Sequence, residues 1–282
     1  MHTTRSWLTA VTLTLGMAAA FTAAAAPAET AATETIPSHP MFSDKFLFEF
    51  GGYYARTSTG ASLSGPGGGV GAIVDFEDAF ALEERKLVGI GGFVWRMTER
   101  WRLDVEYFLL NRRGTKTLDN QLEWGGETFP SGTTVDARYN FSDTRVTAGY
   151  SFFKRRDKEL GIGLGLHVAG IKASVEDTAG GITAQESSVQ APLPVVNLYG
   201  LFALTDDWAL RMRMDFLSLA YGDYSGDIRS AAIDALYQPF RNVGFGLGMR
   251  SLIVDLKVDD PDWTGRIRTS YSGPTAFMTV SF

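Results

Sequence analysis

The chain has 282 residues, a formal net charge of −6 and no cysteine. That length holds one large β domain or two smaller ones. The acidic balance gives nucleic-acid binding no support, and the missing thiols exclude a disulfide framework, a thiolate metal site and a cysteine nucleophile.

At the start, Arg5 is followed by a mostly apolar stretch from Trp7 to Ala20 and then by small residues, with Ala26-Pro27-Ala28 as a small-x-small cleavage site. Residues 1–28 therefore read as a secretory signal peptide, the alternative being an uncleaved helical anchor. Residues 29–44, rich in Thr, Ala, Glu and Pro, read as a periplasmic lead-in. Beyond the signal, no apolar run approaches the roughly 20 residues of a membrane helix. Residues 45–282 are then either soluble or a membrane β-barrel.

Chain order favours the barrel. In "KFLFEFGGYY", Phe46, Phe48 and Phe50 oppose Glu49. The stretch Asp75-Phe76-Glu77-Asp78 reads as a short helix in the first long loop. Arg85 to Arg96 fits either facing. In "WRLDVEYFLLN", Trp101, Leu103, Val105, Tyr107 and Leu109 share one face, with Arg102, Asp104 and Glu106 on the other. In "DTRVTAGYSFF", Val146, Ala148, Tyr150 and Phe152 alternate with Arg145, Thr147, Gly149 and Ser151. "LGIGLGLHVAG" alternates leucine, isoleucine and valine with Gly161, Gly163, Gly165 and His167.

"WALRMRMDFLSLAY" puts Trp208, Leu210, Met212, Met214 and Phe216 opposite Arg211, Arg213 and Asp215. Period two sorts every charge to one side, whereas a helix would put Arg213 nearly opposite Arg211 and Asp215. "IRSAAIDALYQPF" has helix-forming composition, yet its spacing allows Ala231, Ile233, Ala235 and Tyr237 outward with Asp234 inward. "VGFGLGMRS" alternates Val243, Phe245, Leu247 and Met249 with three glycines and Arg250.

The expected fold is all-β: a transmembrane antiparallel up-and-down barrel of about ten strands, with eight and twelve also compatible. The apolar faces are about the 9–11 residues of a spanning strand, and the other faces mix charge with glycine, as a narrow interior requires. Strand starts fall near Phe46, Arg85, Trp101, Thr134, Leu160, Val189, Trp208, Ile228, Val243 and Arg266. Short turns at Thr98–Arg100, Lys154–Glu159, Thr205–Asp207 and Arg241–Asn242 alternate with longer polar connections at 59–84, 114–133, 177–188, 222–226 and 258–265. Trp101 and Trp208, straight after short turns, suit an inner aromatic girdle.

The sequence stops in "GPTAFMTVSF", where Met278, Val280 and Phe282 share a face and read as an assembly signal. With the signal peptide, the alternating strands and the T-x-x-W turns, the chain resembles the small Gram-negative outer-membrane barrels typified by OmpA's membrane domain and OmpW. The resemblance is one of pattern. It implies export through the periplasm, folding by the barrel-assembly machinery and residence in the bacterial outer membrane among lipid and lipopolysaccharide. Those families usually have eight strands, and no periplasmic peptidoglycan-binding domain follows this barrel, so cell-wall tethering does not carry over. A monomer without a cofactor is expected.

The inward charges Glu49, Arg102, Asp104, Glu106, Arg145, His167, Arg211, Arg213, Asp215, Asp234 and Arg250 form a candidate lumen network. Aligning Trp101 with Trp208 sets Asp104 level with Arg211 and Glu106 level with Arg213. Aligning Leu160 with Val243 sets His167 level with Arg250, above glycines that leave room for long side chains. Such charges either fill a narrow barrel by mutual pairing or ring a small, weakly cation-selective pore.

Enzymatic readings find little. Omptin-type proteases need an Asp-x-His pair and paired aspartates at the outer rim, and deacylase-type barrels a His-Ser pair. His167 has no local carboxylate or serine and reads as a packed lumen residue. The Asp259–Asp262 turn is either a divalent-ion site or a solvated acidic turn. Trp124 and Phe129 either contact partners or cap the mouth. The acidic loops argue against a strong grip on lipopolysaccharide phosphates. The expectation is a barrel with a structural or surface-interaction role, without a catalytic site or resident metal.

Overall fold

The computed structural model describes residues 39–64, 73–124, 127–182, 187–221, 224–259 and 264–282. The signal peptide, most of the lead-in, the core of the Asp259–Asp262 turn and the side chain of Trp124 lie outside the described residues.

Alternation along the chain produces a ring of long strands: β1 Phe46–Ser64, β2 Arg85–Arg96, β3 Trp101–Thr117, β4 Thr134–Lys154, β5 Lys158–Asp177, β6 Ser187–Ala203, β7 Trp208–Tyr221, β8 Tyr224–Tyr237, β9 Val243–Asp259 and β10 Thr264–Ser281. Each pairs antiparallel with its sequence neighbours. The ring closes where β10 returns to β1, from Leu47↔Ser281 up to Ser64↔Thr264. These ten strands form the barrel, and the short strand Ile73–Asp75 adds to β1 as an eleventh member of the sheet. Closure leaves no open edge round the lower wall, the condition for a sheet to sit in hydrocarbon.

The two faces differ as period two demands. Along β4, Val135, Ala137, Tyr139, Phe141, Asp143, Arg145 and Thr147 are buried inside, and Val146 and Tyr150 face out. The outer wall carries an apolar belt: Leu164 is 73% exposed, Leu247 67% and Met214 55%. Such exposure is untenable in water over so wide a contiguous patch and ordinary against lipid tails. β2, ambiguous by period alone, turns Val88, Ile90 and Arg96 inward and Leu87 and Trp95 outward. β8 is a strand with Asp234 inward, and its helix-forming composition yields to the ladder on both sides.

Four short connections, Met97–Arg100, Arg155–Asp157, Leu204–Asp207 and Gln238–Asn242, gather at the end where β1 starts and β10 finishes, here called the near end. Two of these turns are tied by threonine. The Trp101 N–H donates to Thr98 Oγ1 and the Trp208 N–H to Thr205 Oγ1, each at 3.0 Å. The two tryptophans then lie outward against neighbouring rings, Trp101 on Tyr150 at 5.1 Å and Trp208 on Tyr237 at 4.6 Å between centroids.

At the far end the strands run further than the sequence reading allowed. β1 continues to Ser64 and β3 to Thr117, into stretches expected to be loop. Their inward positions stay buried (Thr57, Thr59, Arg112) while the outward ones turn polar, so the ladder outlasts the apolar belt. The pairing of β7 with β8 runs on to Tyr221↔Tyr224 and so takes up most of the stretch 222–226 expected to be a longer connection. A short helix, α1 Phe76–Phe80, does form, N-capped by Asp75, whose carboxylate accepts from the Asp78 N–H at 3.1 Å. Pairing between β6 and β7 stops at Val196↔Phe216. Above it β6 carries Pro192 and Pro194, which offer no N–H to a neighbour.

Candidate functional site

The inward side chains stack in layers across the lumen. The lowest layer is built on Glu159, which is fully buried. Arg96 reaches it at 2.9 Å and Ser151 Oγ donates to it at 2.7 Å. Arg102 lies over the Tyr199 ring at 3.8 Å and holds Asp104 at 2.7 Å. Glycine makes this possible. A Cβ on Gly161 would stand 2.0 Å from Tyr199 Cζ, so only a bare backbone admits the tyrosine.

The layer above centres on Arg211. It bridges Glu49 of β1 and Asp234 of β8, the latter at 2.9 Å, and stacks over Phe277 at 5.4 Å. In the third layer Glu106 receives two cations: Arg213 at 2.6 Å and Arg250 at 2.5 Å. Beside it Arg145 forms a two-point pair with Asp215 at 2.9 and 3.1 Å, and Asn197 donates to the same carboxylate at 2.8 Å. His167 Nδ1 sits 2.9 Å from Asp143, and Nε2 is 3.8 Å from Asp215.

Next comes an apolar layer. Phe141 packs on Tyr271 at 4.4 Å, and Phe108 contacts both, with Tyr53 edge-on to Phe108 at 6.0 Å. Above that, fully buried Arg112 binds Thr57 Oγ1 at 2.9 Å, Thr59 Oγ1 at 2.6 Å and Glu77 of α1. The helix thereby roofs the far side of the lumen, with Phe76 and Phe80 buried beneath it. Phe129 is also fully buried, so it does not offer a surface contact.

Several sequence expectations change here. Asp104 and Arg211 do not meet. Arg102, two residues earlier on the same face of β3, takes Asp104, and Arg211 turns to Glu49 and Asp234. Glu106 and Arg213 do meet, across the lumen from β3 to β7. His167 and Arg250 line one small void, of about 20 Å³, together with Glu106 and Asp143. His167 also has the carboxylate partner that its own strand could not supply, because Asp143 lies on the adjacent β4. Asp143, Glu159, Arg96 and Arg112 were missed, although each shares the parity of inward residues on its own strand.

The lead-in is the other surprise. Its described part, His39 to Asp44, closes the near mouth instead of trailing from it. Arg96 donates to the Met41 carbonyl at 2.8 and 3.2 Å, and Ser281 Oγ donates to Asp44 at 2.5 Å. His39 is fully buried, and its Nδ1 accepts the Met41 N–H at 3.2 Å. That acceptor exists only on a neutral ring. Burial lowers the His39 pKa, against the opposing pull of Asp207 and Asp44. A lowered folded-state value means that seating the segment is fully favourable above the ordinary histidine range, near 6.5. It weakens as pH falls through the depressed value. The protection factor of the Met41 amide, relative to its intrinsic exchange rate, should therefore fall on acidification, and His39→Asn, which keeps an acceptor, should flatten that pH dependence.

No protein-family model matches the chain, and no curated protein matches it. Among solved structures, the outer membrane protease OmpT of Escherichia coli is similar over 88% of this chain and 99% of its own, at 12% identity and a TM-score of 0.55. The attachment invasion locus protein Ail of Yersinia pestis covers 83% of this chain and 99% of its own, at 8% identity and a TM-score of 0.36. Neisserial surface protein A covers 84% and 97%, at 14% identity and a TM-score of 0.33. At such identities the likeness to OmpT establishes the fold and nothing finer: a closed ten-stranded antiparallel barrel of the outer-membrane type.

Proposed function

We propose that the chain is a bacterial outer-membrane barrel with a structural or surface-interaction role and a lumen closed to solutes. The near end then faces the periplasm and the far end the exterior, in keeping with its short turns there and longer connections opposite. The observation that carries the reading is the clamp on Glu106, where Arg213 and Arg250 converge from two other strands in mid-lumen. The Arg211 bridge below it and the Phe108–Phe141–Tyr271 layer above close the same bore twice more. Two voids next to these layers, about 20 Å³ each, have room for about one water apiece. The His167–Asp143 pair does not revive a catalytic reading, since His167 is 1% exposed and sealed beneath the aromatic layer.

Planar-bilayer recording of the refolded protein tests this. The expected result is a silent membrane at physiological salt. Steady single-channel steps, altered by Asp104→Ala or Arg213→Ala, would overturn the closed reading in favour of a small cation-selective pore.

A further inference from the structure

The near mouth is shut by six residues that belong to no ladder. His39–Asp44 turns once, as the short 3₁₀ helix Pro40–Phe42, and buries Met41 and Phe42. Its polar anchors are the two Arg96 bonds to the Met41 carbonyl, the Ser281–Asp44 bond, and the cap that His39 Nδ1 provides to the Met41 N–H. A segment held this way, without strand pairing, opens locally at well below the cost of unfolding the barrel. Its hinge is defined. The Lys45 and Phe46 amides stay bonded to Phe282 on the closing seam, so release ends at Asp44.

The cap is the anchor that a proton can switch. A proton on Nδ1 sets two N–H groups against each other, and the ring and the Met41 amide each lose a partner. The ring also becomes a cation in a fully buried position. The ionisable groups that act on it are Asp207, from the Leu204–Asp207 turn, and Asp44, on its own segment. Both favour the charged ring, but burial outweighs them. A protonated His39 is therefore better placed in water outside the mouth.

The seat beneath the segment stands on the wall itself. Arg96 is held from behind by Glu159 at 2.9 Å, and Ser151 donates to Glu159. Leu47, Val94 and Leu201 line the same small void as Met41 and Arg96. Leu47 and Val94 pair across β1 and β2, and Glu159 and Leu201 across β5 and β6. Vacating the mouth thus bares a fixed cation in an apolar rim without loosening a strand. The Arg211 bridge and the aromatic layer still close the bore above it.

We infer that His39–Asp44 is an acid-released cork: protonation of His39 frees these residues from the near mouth and uncovers Arg96, while the bore above stays shut. The cork and the closed lumen stand apart, since access to the mouth tests the one and conductance tests the other.

The chain has no cysteine, so a single introduced thiol reports on one place. Val94→Cys lies under the cork and changes little volume, and Ser43→Cys, exposed on the cork itself, is the reference. The refolded mature protein in detergent is labelled with a water-soluble maleimide across the histidine range. Each rate is divided by that of the urea-unfolded protein at the same pH. Labelling at position 94 should accelerate by up to about tenfold per pH unit below about 6.5, and labelling at position 43 should stay flat. His39→Asn, which accepts but takes no proton, should keep position 94 slow throughout. Asp44→Asn should keep the acid response, because the histidine and not the carboxylate drives it. Flat labelling with the native histidine, acceleration that survives His39→Asn, or a response lost in Asp44→Asn would each overturn the cork. Fast labelling at every pH in His39→Asn would show that the seat needs the ring as acceptor, and Asp44→Asn would then decide whether the native response belongs to the histidine. Planar-bilayer current should stay silent across the same range. Acid-evoked steps absent from His39→Asn would support the cork and overturn the closed lumen instead.

Discussion

Glu106→Ala should lower the stability of the folded barrel by on the order of 3 kcal/mol, because it strands two arginines in mid-lumen. Arg213 and Arg250 reach Glu106 from β7 and β9 at 2.6 and 2.5 Å, and each is about a tenth exposed. The intact pair need not be a large net source of stability, since desolvation offsets most of its attraction. Removing one partner leaves the desolvation cost standing without its compensation. A urea titration in lipid vesicles, read by tryptophan fluorescence and heat-modifiable migration, should show the midpoint falling. Adding Arg213→Met and Arg250→Met to Glu106→Gln should recover most of the loss, because the same volume is then filled without buried charge. An unchanged midpoint in the single variant would mean that the three side chains are not clamped. Even so, conductance should stay silent in Glu106→Ala, because the Arg211 bridge and the aromatic layer close the bore independently.

The second large effect is expected on the closing seam. A Cβ on Gly51 would lie 2.2 Å from the Ala276 carbonyl oxygen and 2.5 Å from the Phe277 Cα. Both obstacles are backbone, so no rotamer change relieves them. The strands must separate locally, at a cost of roughly 1–3 kcal/mol or more. Gly51→Ala should therefore slow or prevent formation of the heat-modifiable form. Gly91→Ala is the matched control: it sits on the neighbouring strand with nothing within 4 Å of its Cβ position, and it should fold as wild type does.

Period two was enough to read which side of the wall each residue takes. It put Arg211, Arg213 and Asp215 inside and Met212 and Met214 outside, and the structure has them there. The partners of those charges were less legible. Height along a strand follows from counting, so Glu106 and Arg213 could be matched. Direction across the lumen depends on the order of strands round the ring and on side-chain reach, so Arg211 was matched to the wrong carboxylate. Asp143 and Glu159 follow from the same parity count: Asp143 opens the very stretch that carries Arg145, two residues before it on the same face, whereas Glu159 lies in what read as a turn. The plug was not legible at all. His39, Met41 and Phe42 have no period, and what places them are contacts distant in sequence, from Arg96 to the Met41 carbonyl and from Ser281 to Asp44.

The way the first and last strands meet also sets an order of events. The Lys45 and Phe46 amides donate to the Phe282 carbonyl at 2.7 and 3.0 Å, so the residues that seat the plug are joined to the final rung of the ring. Contacts this distant in sequence form late, after their loop entropy has been met. Until then the nascent sheet presents two long unsatisfied borders, and the near mouth is open. Zipping β1 to β10 removes both borders and corks the mouth in a single step. Intermolecular pairing thus competes with folding only before that step, and loss of monomer should rise with concentration early in refolding and cease once the ring has shut.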